Sequence, residues 1–151
     1  MSYVDDDKIC VWGWSYGGYL TGMILAEDGR LAVQGQKRLV SCGISVAPVT
    51  QWQNYGKYLL HAPISNMSQF PPDSAYTERF MGMPTPESNW KGFTESSLTG
   101  KAEYFADNSF MVVHGTGDDN VHIEHTMRLS KMLVNNHIIF RQQVCTVFLF
   151  N

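Results

Sequence analysis

The chain has 151 residues, 44% hydrophobic and 17% charged, with a formal net charge of −3. A charged share below the ~25% of an average soluble domain argues against a disordered tail, which carries high net charge and little to bury. The negative sign argues against nucleic-acid binding through a basic surface.

The length suits one domain with a real core. No apolar run reaches the ~18–20 residues of a membrane span. Residues 1–7 lack the charged and apolar regions of a signal peptide.

In chain order, residues 9–14 form a short apolar run that reads as a strand buried on both faces. Ser15 to Gly18 is a tight, glycine-rich turn. Residues 19–26 read as a helix, stopped by Glu27-Asp28-Gly29. Residues 42–47 are a second buried strand, closed by Pro48. Residues 51–105 are rich in Pro, Ser, Asn and aromatics and read as short helices and loops over the sheet's carboxyl edge. Residues 109–114 are a third strand. Residues 124–134 carry apolar side chains at helical spacing. Ile138-Ile139-Phe140 opens a fourth strand. Strands alternating with helices predict a parallel α/β sheet.

Cys10, Cys42 and Cys145 form no Cys-x-x-Cys pair, so neither a zinc nor a redox motif is supported. Five histidines are scattered: His61, His114, His122, His125 and His137. His122 and His125 lie three apart at a helix start, but no acidic or Cys ligand motif accompanies them. They read as solvated or capping residues. No metal and no cofactor is expected.

Gly13-Trp14-Ser15-Tyr16-Gly17 fits the Gly-x-Ser-x-Gly elbow, with a strand before it and a helix after it. The turn projects the serine hydroxyl above the sheet, and the N–H of the next residue, Tyr16, points at a developing oxyanion. A serine hydroxyl needs a base to take its proton, and an acid to orient that base. In this arrangement the order is Ser, acid, His. The turn His114-Gly115-Thr116-Gly117-Asp118-Asp119-Asn120 follows the third strand and offers Asp118 or Asp119 as the acid. The histidine is expected after a further strand.

Four stretches together resemble the dipeptidyl peptidase IV and fibroblast activation protein family, in the prolyl oligopeptidase group of serine peptidases. They are residues 11–19 around the elbow, Cys42-Gly43-Ile44-Ser45-Val46-Ala47-Pro48-Val49, residues 76–86 from Tyr76-Thr77-Glu78-Arg79 to Pro84-Thr85-Pro86, and residues 114–122 around Asp118. The resemblance implies an α/β-hydrolase fold, present here in part. Residues 1–143 would be a partial peptidase catalytic domain and 144–151 a divergent tail. The family's β-propeller and first hydrolase strands fall outside the match. So does its triad histidine, whose slot at 147–150 reads Val147-Phe148-Leu149-Phe150. Residues 31–38 and 56–72 read as insertions; Gly56-Lys57-Tyr58 can be encoded by a splice-donor-like string. Cys42 resembles a cysteine whose disulfide partner lies beyond residue 151.

By the same resemblance, Ser15 is the nucleophile and Asp118 the acid. Tyr16 gives an oxyanion N–H and a pocket wall. Val49, Trp52, Tyr55, Tyr76 and Val121 enclose a proline ring, and Asn120 binds a substrate carbonyl. Flat, apolar proline suits aromatic faces and valine methyls. The implied reaction releases N-terminal dipeptides after a penultimate Pro or Ala through an acyl-enzyme. The expected partners are peptide substrates, in a family that is often homodimeric and cell-surface or secreted. This chain itself is expected to be an inactive fragment, for want of the histidine. The alternatives are a non-catalytic pseudoenzyme or binding fragment, and an esterase-type α/β-hydrolase.

Overall fold

The structure, a computed structural model, describes Asp5, residues 7–55 and residues 75–146. The stretch read as an insertion at 56–72 and residues 147–151 lie outside the described residues. Two compact units emerge, one of residues up to Thr50 joined by those from Leu98 onward, the other of residues 51–97.

The first unit is a four-stranded parallel sheet in the order β1-β2-β3-β4, with β1 Cys10–Trp14, β2 Cys42–Val46, β3 Ser109–Gly115 and β4 Arg141–Cys145. The expected α/β architecture is therefore present. Helix α1 (Tyr16–Val33) connects β1 to β2. A helix at Glu124–Asn135, numbered α4 in chain order, connects β3 to β4. Alternation along the strands tells which face each helix covers. Gly43 meets the Leu25 side chain, and the Ser45 hydroxyl donates to the Gly18 carbonyl at 2.8 Å, so both face α1. Their register partners Phe110 and Val112 share that face, with His114 two residues on, and His114 touches Thr126 of α4. Both helices thus lie on one side. Leu25, Phe105, Phe110, Val112, Leu129 and Leu133 form the core between, all at most 2% exposed.

The opposite face corrects an expectation. β1 was read as buried on both faces, yet Trp12 is 72% exposed, Trp14 47% and Ile44 41%. Trp12 pairs in register with Ile44 and alternates with Gly13, so these side chains point away from α1. An apolar run reports affinity for burial, not the presence of a covering layer.

Helix α1 is longer than the expected 19–26. Gly29 lies inside it, buried, because a Cβ there would strike the Tyr104 carbonyl. The stop comes at Gly35, with φ 89°. Its N–H donates to the Ala32 carbonyl at 2.9 Å and that of Gln36 to Leu31 at 3.1 Å, a Schellman termination. The residues read as an insertion at 31–38 begin as the last turn of this helix.

The fourth strand also starts later than expected, at Arg141 rather than Ile138. His137 takes φ 58°, and the Ile138 N–H donates to the Leu133 carbonyl at 3.0 Å. Ile138 therefore closes α4 and cannot enter the ladder. β4 runs through Val144 to Cys145, which is a free thiol.

Cys10 and Cys42 form the first register pair of β1 and β2 and are joined in a disulfide, their Cα atoms 4.6 Å apart. This replaces the partner implied beyond residue 151. Strand pairing sets the two sulfurs side by side.

The second unit holds a 3-10 turn (Trp52–Asn54) and helices α2 (Ala75–Met81) and α3 (Trp90–Glu95). Short helices were expected here. Asn89 caps α3, its Oδ1 accepting from the Gly92 N–H at 3.2 Å.

Two glycine exchanges with opposite signs check these helix ends. His137→Gly relieves a left-handed backbone at an exposed site and is expected to stabilise the chain by about 1 kcal/mol. Gly29→Ala drives a methyl into the Tyr104 carbonyl and is expected to cost about 1–3 kcal/mol. Urea midpoints of the 151-residue chain report both.

Candidate active site

In a parallel sheet every strand delivers its next residue to the same edge. Ser15 follows β1, Ala47 to Thr50 follow β2, and Thr116 to Val121 follow β3. The loops carrying Ser15, Tyr16, Val49, Asp118, Asn120 and Val121 are thus all launched from the carboxyl edge of the first unit.

Ser15 caps α1 with φ 56° and ψ −117°. That is a left-hand φ for a residue with a Cβ, and such geometry costs about 1–3 kcal/mol. The turn is pinned from both sides. The Ser15 N–H donates to the Val46 carbonyl at 2.9 Å, and the Tyr19 N–H donates to the Ser15 carbonyl at 3.0 Å. The glycines around it answer to steric limits. A Cβ on Gly13 would collide with the Gly17 backbone, and one on Gly18 would come within 2.7 Å of the Val46 carbonyl oxygen. Ser15 is half-buried and Tyr16 is exposed. Tyr16 is the first residue of α1, where backbone N–H groups favour negative charge.

The loop after β3 is built around Asp118. The carboxylate is buried, and Oδ1 accepts from the N–H groups of Asn120 at 3.1 Å and Val121 at 2.9 Å. Asp119 and Asn120 are exposed. Of the two acids left open by the spacing, Asp118 is the one held by its own loop, as in an Asx turn. Thr116 anchors the loop to the end of β4, its N–H donating to the Cys145 carbonyl at 2.9 Å and its hydroxyl to the Thr146 carbonyl at 3.0 Å.

His114 lies under this loop, fully buried. Its Nε2 is 2.7 Å from the Val121 carbonyl and 3.6 Å from Asp118 Oδ2, and its Nδ1 is 2.6 Å from the Thr126 hydroxyl. A carbonyl only accepts, so Nε2 carries the proton. Burial pushes the imidazole below its ordinary value of 6.5, against the opposing pull of the Val121 carbonyl and the Asp118 charge.

His125 is buried with Nδ1 3.1 Å from the Thr50 nitrogen. Both imidazoles are engaged inside the fold. His137 sits at the far end of α4, away from the carboxyl edge, and His61 lies outside the described residues. His122 is half-buried, two residues before α4. No group of three or more His, Cys, Asp or Glu suited to a metal occurs among the described residues.

Val49 and Val121 are almost fully buried. In the second unit, Trp52, Tyr55 and Tyr76 come together as one aromatic cluster. Trp52 and Tyr76 stack with centroids 6.1 Å apart, and Tyr55 meets both edge-on at 5.8 and 5.9 Å. Sequence reasoning missed the engagement of His114, Thr126, Thr50 and His125. The alternation Phe110, Val112, His114 along β3 was a signal that His114 points into the core.

Residues 1–146 match the prolyl oligopeptidase family. The chain belongs to that family. It is 42% identical over 96% of its length to venom dipeptidyl peptidase 4 of Apis mellifera, and 39% identical over 93% to dipeptidyl peptidase 4 of Bos taurus. It is 37% identical over 93% of its length to prolyl endopeptidase FAP of Homo sapiens. The chain spans 16% of the bee protein and 15% of the bovine and human ones. Among solved structures it resembles dipeptidyl peptidase 4 of Porphyromonas gingivalis, with TM-score 0.74, 35% identity, and coverage of 95% of this chain and 16% of that one.

The buried imidazole gives this family member a pH dependence. His114 is depressed in the folded chain, so the unfolded chain takes up the proton first as pH falls. Its contribution to stability is complete above about 6.5 and is lost as pH falls below that value. Urea midpoints at pH about 7.5 and about 5 are expected to diverge in the parent chain and to diverge less in His114→Gln.

Proposed function

We propose that this chain carries the nucleophile and acid of a serine peptidase that releases N-terminal dipeptides after a penultimate Pro or Ala. The observation that carries the reading is the backbone of Ser15, held at φ 56° in a strand-to-helix turn. An ordinary turn has no reason to keep a serine there when glycine would be unstrained. Asp118 is buried and gripped through Oδ1. Oδ2 lies 3.6 Å from His114 Nε2, whose proton goes to the Val121 carbonyl, and Oδ2 is the oxygen we assign to orienting a base. Ser15 attacks the substrate carbonyl, the Tyr16 N–H meets the oxyanion, and Asn120 binds a second substrate carbonyl. Tyr16, Val49 and Val121, and separately the Trp52–Tyr55–Tyr76 cluster, are the side chains we assign to proline-ring recognition.

The engagement of His114 and His125 supports a second statement. Among the described histidines, His114 and His125 are engaged inside the fold and His137 lies at the far end of α4. We infer that the 151-residue chain on its own acts as a binding module without turnover. In a comparable triad the loss of the histidine costs on the order of 10⁶ in turnover. An esterase-type reading has no observation in its favour here.

A chimera separates these statements. The chain replaces the matching segment of the honeybee venom enzyme, and a Gly-Pro reporter is assayed alongside the chain alone. The chimera is expected to turn over, and Ser15→Ala to abolish that turnover. Asp118→Ala is expected to lower it by on the order of 10⁴. The chain alone is expected to be silent. A chimera that folds and binds the reporter without Ser15-dependent turnover would overturn the peptidase reading; turnover by the chain alone would overturn the second statement.

A further inference from the structure

Thr50 is fully buried at the base of the loop that carries Val49. Its backbone and side chain are spoken for three times. Its carbonyl accepts from the Leu98 N–H at 2.9 Å. Its hydroxyl donates to the His125 carbonyl at 2.9 Å. Its N–H donates to His125 Nδ1 at 3.1 Å. The last contact is informative because a backbone N–H cannot reverse its polarity. Nδ1 must present a lone pair, so His125 is neutral with its proton on Nε2. The Thr50 hydroxyl also lies 3.3 Å from Nδ1, but its proton is already given to the carbonyl.

The next residue along α4, Thr126, bonds His114, and His114 holds the Val121 carbonyl. Val121 in turn donates its N–H to Asp118. A continuous run of buried polar contacts therefore leads from the Val49–Thr50 segment, through one turn of α4, to the Asp118 loop. Thr50, His125, Thr126, His114, Val121 and Asp118 are all buried, at most 6% exposed, and in so low a dielectric each contact is strengthened.

We propose that His125 is a positioning residue of the site: its neutral imidazole, accepting from the Thr50 N–H, fixes the Val49 wall to the same helix turn that fixes Asp118. The role rests on the reading above that Val49 and Asp118 serve one site, and it acts through Thr50 rather than on substrate. Sequence reads His125 as a solvated or capping residue, whereas in the structure it is buried with Nδ1 on the Thr50 N–H. An apolar residue at 125 would fill the space but leave the Thr50 N–H buried and unpaired, which is the expensive half of losing a hydrogen bond. An asparagine offers an amide oxygen near the position of Nδ1 and restores an acceptor.

The test uses the 151-residue chain without substrate, so its failure is distinct from failure of the chimera. Imidazole nitrogen NMR is expected to show His125 Nδ1 unprotonated and Nε2 protonated, with a coupling across the bond from the Thr50 amide. His125→Leu is expected to speed amide exchange at Thr50 and Val121 by about tenfold. The Leu25 and Ala26 amides in α1 are expected to keep the parent rate. His125→Asn is expected to restore protection at Thr50. A protonated Nδ1 would overturn the proposal, as would unchanged exchange at Thr50 in His125→Leu or failure of His125→Asn to differ from it. If His125→Leu does not fold, the nitrogen spectrum of the parent chain decides.

Discussion

A serine held at positive φ is the constraint from which the rest of the sheet edge follows. Ser15 can keep that backbone only if its neighbours remove every alternative. The Val46 carbonyl takes its N–H, and α1 takes its carbonyl within one turn. Gly13 and Gly18 let β1, the helix start and the end of β2 approach more closely than any side chain allows. The cost of about 1–3 kcal/mol is small beside the stability of a domain, but large enough that the geometry would relax if one support were lost. The spacing of β1 and β2 and the entry of α1 are parts of a single arrangement.

The same edge has a regular construction. The first N–H after each of three strands donates to the last paired carbonyl of the neighbouring strand or just beside it: Ser15 to Val46, Ala47 to Val113, Thr116 to Cys145. Each loop thus begins as one more rung of the parallel ladder before it turns away. Loop residues inherit their positions from the sheet. This is how a half-buried serine and a buried aspartate can be placed reproducibly on segments with little regular structure of their own.

Much of this was legible in the sequence, and the exceptions share a cause. The strands at 10–14, 42–46 and 109–115 and the helix from 124 stand within a residue or two of where apolar periodicity put them. The elbow was legible because Gly-x-Ser-x-Gly is read together with its flanks. Helix ends were not. Glycine serves both as a stop and as a site of close packing, and Gly29 does the second while Gly35 does the first. His137 stops α4 in a conformation that sequence assigns to glycine or asparagine. Trp12 and Trp14 looked buried because composition cannot show which faces are covered. Spacing leaves Asp118 and Asp119 open; the resemblance implies Asp118, and the burial of Asp118 beside an exposed Asp119 is a difference that spacing does not show. The partnership of Thr50 with His125 spans 75 positions, and no local pattern encodes it.

The sheet order matches the chain order, yet the connections are very unequal. β1 and β2 are separated by 27 residues and β3 and β4 by 25, whereas 62 residues lie between Val46 and Ser109. Each flanking pair is a strand-helix-strand unit that can close over a modest loop. The central pairing of β2 with β3 must close the long one. In equilibrium terms the difference is slight, since each doubling of a loop costs about 0.6 kcal/mol. In kinetic terms it matters more, because distant pairings are reached late and slow the search. On that ground the β2–β3 seam is the pairing expected to form last. Ser15 and Asp118 lie on opposite sides of it, so the two groups assigned to one reaction are expected to meet only with that last pairing.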